Sequence, residues 1–133
     1  MTIAKVRAAL ESRLNGISPA IATAWENVPY SPTVGTAWQR VNLMVNTPID
    51  YAVSSDVVEQ RGILQVTLYY PQGTGSATAA ARAQAVADRF APVQTLTSGG
   101  TNVEVLSTAH IGTASAVDDW FVIPVSIPWR SFS

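Results

Sequence analysis

Apolar and polar positions alternate along this chain with two different periods, and the changes of period mark its elements. At the start, Ile3, Val6, Leu10, Leu14 and Ile17 recur at spacings of three and four, the stripe of an amphipathic helix that Thr2 can cap. Arg7 and Glu11 sit one turn apart on its polar side. Asn15-Gly16 predicts a left-handed stop, and Pro19 prevents resumption. The period then drops to two. Ala20–Glu26 reads as a short strand with Ile21, Thr23 and Trp25 on one face, and Val28–Gly35 as a proline-punctuated loop. In "AWQRVNLMVN", Val41, Leu43 and Val45 alternate with Arg40, Asn42 and Met44. "GILQVTLYY" repeats the pattern, with Leu64, Val66, Leu68 and Tyr70 turned inward. A helix follows from about Ser76 to Phe90, its stripe Ala79, Ala83, Val86 and Phe90, and Pro92 ends it. "TNVEVLS" is a strand between two expected turns, Thr97–Gly100 and Thr113–Asp119. In the last strand Phe121, Ile123, Val125, Ile127 and Trp129 share a face.

Between Asn46 and Arg61 the alternation collapses. This stretch reads as a long hairpin arm or loop, and a segment of that length in a compact domain is more often functional or mobile than neutral. Its apolar residues, among them Tyr51, Val57 and Val58, are too many for a solvated linker, and Asp50, Asp56, Glu59 and Arg61 are placed to pair with a neighbour. Pro124 and Pro128 share a parity in the last strand, so both missing N–H groups point to the same lateral side. That predicts an edge strand, or one that meets another subunit without regular pairing, with Trp120 at its start. The expected fold is α+β: a single mixed or antiparallel sheet of four to five strands with two helices on one face, in the order α-β-β-(arm)-β-α-β-β, over residues 1–133 as one domain.

Composition changes this picture in one respect. Charged residues are only 13% of the chain against an apolar share of 47%, and a surface so poor in charge favours contact between subunits. The formal charge of −1 gives no general attraction to nucleic acid or anionic membrane. There is no cysteine, hence no disulfide framework and no thiolate metal site. Lys5, Arg7, Glu11 and Arg13 interrupt the first segment, which has no apolar signal core, and no later stretch reaches membrane-spanning length. A soluble chain without a membrane partner is expected.

Gly73-Thr74-Gly75-Ser76 lies between a strand and a helix, the layout of a phosphate-binding loop. A P-loop needs a lysine after its glycines, and the chain's one lysine is Lys5; a dinucleotide fingerprint needs a third glycine where Thr78 stands. Pro71, Gly73, Gly75 and Ser76 therefore read as a structural turn, with Thr74 or Ser76 as helix cap, and no cofactor is expected. His110 is the single histidine, and no spacing of carboxylates around it suggests a metal. Asp118 and Asp119, being adjacent, cannot act as an acid–base pair and read as turn residues. The chain has neither a Gly-x-Ser-x-Gly elbow nor a triad that avoids His110, and no catalytic residue is assigned. Trp25, Trp38, Trp120 and Trp129, with Arg40 and Arg130, are better explained by packing than by stacking on nucleic acid. The rival reading that survives from the residues alone is a small nucleotide-binding domain using the Gly73–Ser76 turn.

"GILQVTLYYPQGTGSATA" followed by an alanine-rich helix ending in phenylalanine resembles the corresponding segment of bacteriophage tail terminator proteins. The first helix running into "LNGI", the Trp-containing strand after it, the "NVPYSP" loop and the closing strand with prolines and tryptophan extend the resemblance over nearly the whole chain, with the Asn46–Arg61 arm matching least. The resemblance implies a structural virion protein, assembled in the host cytoplasm, that forms a ring (typically a hexamer) on the head-proximal end of the tail tube. It would stop tube elongation and offer a surface to head-completion proteins. Its partners would be itself, the tail-tube protein and a head-completion protein, with DNA passing through without tight binding. Another head–tail connector or tail-tube subunit is the alternative within the same class. The arm is expected to be mobile in the free subunit and ordered in the ring.

Overall fold

The computed structural model describes residues 3–17, 21–33, 35–46, 49–50, 58–73, 75–91, 95–98 and 101–132. In chain order the elements are α1 (Ile3–Asn15), β1 (Ala22–Ala24), β2 (Trp38–Val45), β3 (Ile49–Asp50), β4 (Val58–Pro71), α2 (Ala77–Arg89), β5 (Thr95–Ser98), β6 (Thr101–Val105), β7 (His110–Ile111), β8 (Ser115–Val117) and β9 (Trp120–Phe132). The sheet runs β1-β2-β4-β9-β6-β5, with β3 paired to β4 and with β7 and β8 paired to β9. β1 and β2 are parallel and the remaining pairs antiparallel, so the sheet is mixed.

The α+β class and the two helices agree with the sequence reading, but the strand count and order do not. Six strands form the main path instead of four or five, and three short ones attach to it. Thr97 and Ser98, expected in a turn, pair with Asn102 and Thr101 in β5–β6, and Ser115–Val117, expected in a second turn, pairs with Trp120–Val122. These pieces are too short for an alternation to register, and neighbours rather than their own pattern hold them extended.

One face of the sheet carries the core. Leu64, Val66 and Leu68 of β4, Ile123, Val125, Ile127 and Trp129 of β9 and Val103 and Val105 of β6 are buried against Val6, Leu10 and Leu14 of α1 and Ala79, Ala83, Val86 and Phe90 of α2. Both helices therefore lie on that face, and the alanine-rich stripe of α2 permits its close approach to the strands. Gly62 faces Trp129 across the β4–β9 ladder. A Cβ there would strike the Met44 carbonyl oxygen and come within 2.7 Å of Trp129 Cζ2, so the glycine makes room for the largest fully buried side chain.

The two helices close each other's C-terminal ends. Arg13 Nε donates to the Arg89 carbonyl at 2.9 Å, and Arg89 Nε donates to the Arg13 carbonyl at 2.9 Å. Each guanidinium thereby satisfies a carbonyl that a helix end leaves free, where positive charge is favoured. Gly16, expected to supply a left-handed stop, is not among the positive-φ residues; its role is spatial, since a Cβ there would collide with the Arg89 guanidinium. Thr2 and Pro19 fall outside the described residues.

β9 is the clearest correction. Expected at an edge, it lies inside the sheet, paired with β4 from Trp120 to Phe132 and, on its other flank, with β6, β7 and β8 in turn. The proline parity nevertheless identifies the irregular flank. Pro128 falls between the stretches that pair with β6 and β7, and Pro124 between those that pair with β7 and β8. Their carbonyls face that same side, accepting from Leu106 N–H at 3.0 Å and Gly112 N–H at 2.7 Å. A flank lacking two donors is covered by short strands that break where the donors are missing.

Candidate interaction surface

Residues named from the sequence fall into three places. The arm is the first. Asn46 N–H donates to the Arg61 carbonyl at 2.8 Å, and β3 then continues the pairing, with Ile49 opposite Glu59 and Asp50 opposite Val58. Val45 faces Gly62 whereas Ile49 faces Glu59, four steps on one strand against three on the other, the count of a bulge. The last four residues of the expected arm are therefore regular sheet: Val58–Arg61 begins β4. The Glu59 side chain is fully buried and ion-paired with Arg61, so it does not stand free for a neighbour as the sequence suggested. Tyr51, Asp56 and Val57 lie outside the described residues.

The second place is the sheet face that, among the described residues, carries no helix. At one end Trp38 stacks on Tyr69, its partner across the β2–β4 ladder, with ring centroids 4.0 Å apart and planes 8° from parallel. Trp120 meets both edge-on, at 6.1 and 6.5 Å, and Tyr30 from the proline-rich loop lies 5.2 Å from Trp38. The Arg40 guanidinium sits 5.3 Å from the Trp38 ring centre. Ile63, Gln65, Thr67, Pro124, Ser126 and Pro128 are half-buried along the middle of the face. At the other end Arg61 and Arg130 face each other across the β4–β9 ladder. Arg61 holds Glu59, and Arg130 reaches Glu104 Oε2 through Nε and Nη2, each at 3.0 Å, so two like charges are flanked by two carboxylates. Trp120 is thus part of an aromatic cluster, as the packing explanation expects. Trp129 is fully buried on the opposite face, and Trp25 packs against the core.

The third place is the turn before α2. Pro71 closes β4 opposite Trp120, Gln72 N–H donates to the Asp119 carbonyl at 3.0 Å, and Gly73 and Gly75 both have φ of 85°, which explains glycine at each. Ser76 occupies the N-cap position, but its side chain makes no capping bond; its carbonyl accepts from Ala80 N–H at 2.9 Å. Thr74, the other expected cap, lies outside the described residues. His110 is exposed in β7 opposite Ser126, and the described residues contain no group of three potential metal ligands.

Sequence reasoning missed a fourth arrangement, where loop, helix and strand meet. Glu26 Oε1 accepts from Arg7 Nη1 at 2.8 Å and from the backbone N–H of Leu43 at 2.5 Å, while Glu11 lies 3.5 Å from the same Arg7 nitrogen. Burial pushes the Glu26 carboxyl up, but the Arg7 hydrogen bond, the Leu43 N–H and the Arg7 charge outweigh it and hold the group below the ordinary carboxylate value. The Arg7–Glu11 spacing was legible; the nearer partner, nineteen residues away, was not.

Comparison with known proteins bears on what these surfaces serve. The family model described as phage tail terminator protein matches residues 5–129. One solved structure, 27% identical over 98% of this chain and 96% of its own, superposes with a TM-score of 0.81. A chain from the virion of a native gene transfer agent particle is 17% identical over 97% of this chain and 94% of its own, with a TM-score of 0.63, which shows a shared fold. No curated protein sequence matches the chain.

Proposed function

The chain belongs to the phage tail terminator family, a family of structural virion proteins of the tail, and from that premise we propose that it caps the head-proximal end of the tail tube as a ring of identical subunits, a hexamer. The ring stops tube elongation and gives head-completion proteins a surface to join. The observation that carries the reading is the match of the family model to residues 5–129, which reaches into every strand of the main sheet path. The low share of charge, 13%, and the helix-free sheet face with its aromatic cluster support repeated contact between subunits. A ring needs heterologous contacts, one patch meeting a different patch on the next subunit. The stretch of sequence that holds Tyr51, Asp56 and Val57, between the paired residues Asp50 and Val58, is the proposed reach of one subunit to the next.

DNA passes through such a ring without tight binding. Five of the eight basic residues lie on or beside the two helices or are engaged there, and Arg61 and Arg130 on the sheet are ion-paired, so few cations remain for phosphate. Electron microscopy of the protein mixed with purified tail tubes is the test. Density of one ring at a single end of each tube, with tubes that no longer elongate, is the expected result. Binding along the tube wall, or filaments of the pure protein, would place it instead as a tube subunit. Deleting 50–57 should leave a folded subunit that forms no ring.

A further inference from the structure

The sheet ends unevenly on its β1 side. Among the described residues, β1 covers β2 only from Trp38 to Arg40. Beyond Ala24 the chain turns away through Asn27, whose φ is 60°, and leaves an open cleft of about 420 Å³ beside Val41. Asn46 N–H points toward β4, where it meets Arg61. By alternation the C=O of Val41 and the N–H and C=O groups of Leu43 and Val45 point the other way, off the edge, while the Val41 N–H faces the end of β1 at Ala24. Such a row is a template for a further strand. The Leu43 N–H in its middle is taken by Glu26 Oε1, and Arg7, rooted on α1, grips the same oxygen from outside the sheet. Around this contact Val28, Met44 and Val45 expose 57%, 42% and 44% of their surface.

We propose that Glu26 is a plug on the open edge of β2: by occupying the Leu43 N–H it keeps that edge from pairing, antiparallel, with β2 of a second copy. The occupant kept out is a second copy for two reasons. An edge of alternating N–H and C=O groups is its own complement about a twofold axis. The side chains flanking the plug are apolar, and the nearby Arg7 charge is already balanced by Glu26 and Glu11, so two copies meet there without like-charge contact. The plug concerns an edge-to-edge contact distinct from the head-to-tail contact of a ring, and holds whether or not the protein caps tails.

Glu26→Ala releases the Leu43 N–H, and sedimentation velocity on the full chain reads the outcome. The expected result is association of the parent species into pairs about tenfold or more stronger than in the parent, the factor that two released N–H groups, one from each copy, supply at about one net hydrogen bond each. Adding Val45→Pro, which removes an N–H from the same edge at an exposed position, should return the parent's behaviour. Because the chain has no cysteine, Met44→Cys gives a specific report: a short thiol cross-linker should join two copies in the Glu26→Ala background and not in the parent. A folded Glu26→Ala protein with the parent's sedimentation and no Met44→Cys cross-link would overturn the proposal, as would association that Val45→Pro fails to reverse. Should Glu26→Ala not fold, Arg7→Met removes the tether and is read the same way, with a smaller shift expected and no shift counting against the plug. No tail tube enters the assay, so the tail-capping reading can fail without touching this result.

Discussion

The two faces of the sheet are built from the same strands by different rules. On the helix-covered face every second residue from Leu64 to Tyr70 and from Ile123 to Trp129 is apolar and buried, and the packing partners come from elements far away in sequence. On the other face the same strands present half-buried Gln65, Thr67 and Ser126 in the middle, stacked rings at one end and a row of paired charges at the other. Burial organises the first face, and cross-strand pairs organise the second. Stability therefore concentrates on one side of a single layer, which leaves the other side freer to be shaped for contact.

Trp120 and Trp129 stand on opposite faces of one strand, so they test this asymmetry most directly. Trp129→Ala empties a fully buried site and should lower unfolding free energy by about 3–5 kcal/mol. Trp120→Ala removes a half-buried ring with edge contacts and should cost about 1–2 kcal/mol. Urea unfolding of both reads the difference, and equal losses would break the comparison. Gly62→Ala follows, at about 1–3 kcal/mol, because the added methyl meets the Met44 carbonyl and the Trp129 ring inside a close-packed face. Combined with Trp129→Phe, which withdraws the colliding atoms, the cost of the alanine should fall; unchanged cost would show that the backbone contact alone decides it.

The Trp38–Tyr69 stack is the open face's own cohesion. A double-mutant cycle between Trp38→Leu and Tyr69→Leu should give a coupling of about 0.5–1.5 kcal/mol. A coupling near zero would mean that these rings are held by burial alone and that the two faces differ less than described. The smallest effect is the pH dependence of Glu26. Its folded-state pKa is depressed, so its contribution is present above the unfolded value, near 4.5, and is lost as pH falls through the folded value. Glu26→Gln should flatten the stability profile on the acid side of about pH 4.5 and leave its slope near neutrality unchanged. A parent profile that already lacks acid-side slope attributable to Glu26 would remove the electrostatic part of the clamp.

Where pattern and packing coincide, the sequence was readable. Val41, Leu64–Tyr70 and Phe121–Trp129 alternate because one face meets helices, and the two helical stripes face them in return. The short strands β7 and β8 left no trace, since two or three residues carry no period and pairing with β9 holds them straight. The prolines of β9 pointed to the correct flank but to the wrong conclusion, because a flank without two donors can still be covered piecemeal. At the candidate surface, the glycine turn was legible from residue type, while the Glu26–Arg7–Leu43 contact was not: nothing in sequence spacing says that a loop carboxylate will reach a backbone amide on a neighbouring strand.

The position of β9 has a further consequence, for the order in which the molecule can be made. The last strand in the chain lies between β4 and β6, and so joins two half-sheets, β1-β2-β4 and β6-β5, that touch the rest only through helices until it arrives. On the ribosome, everything before residue 120 must wait with the inner edges of both halves unpaired. The chain gains its central seam late and all at once, and a nascent chain stalled before Trp120 should be a ready substrate for chaperones and proteases.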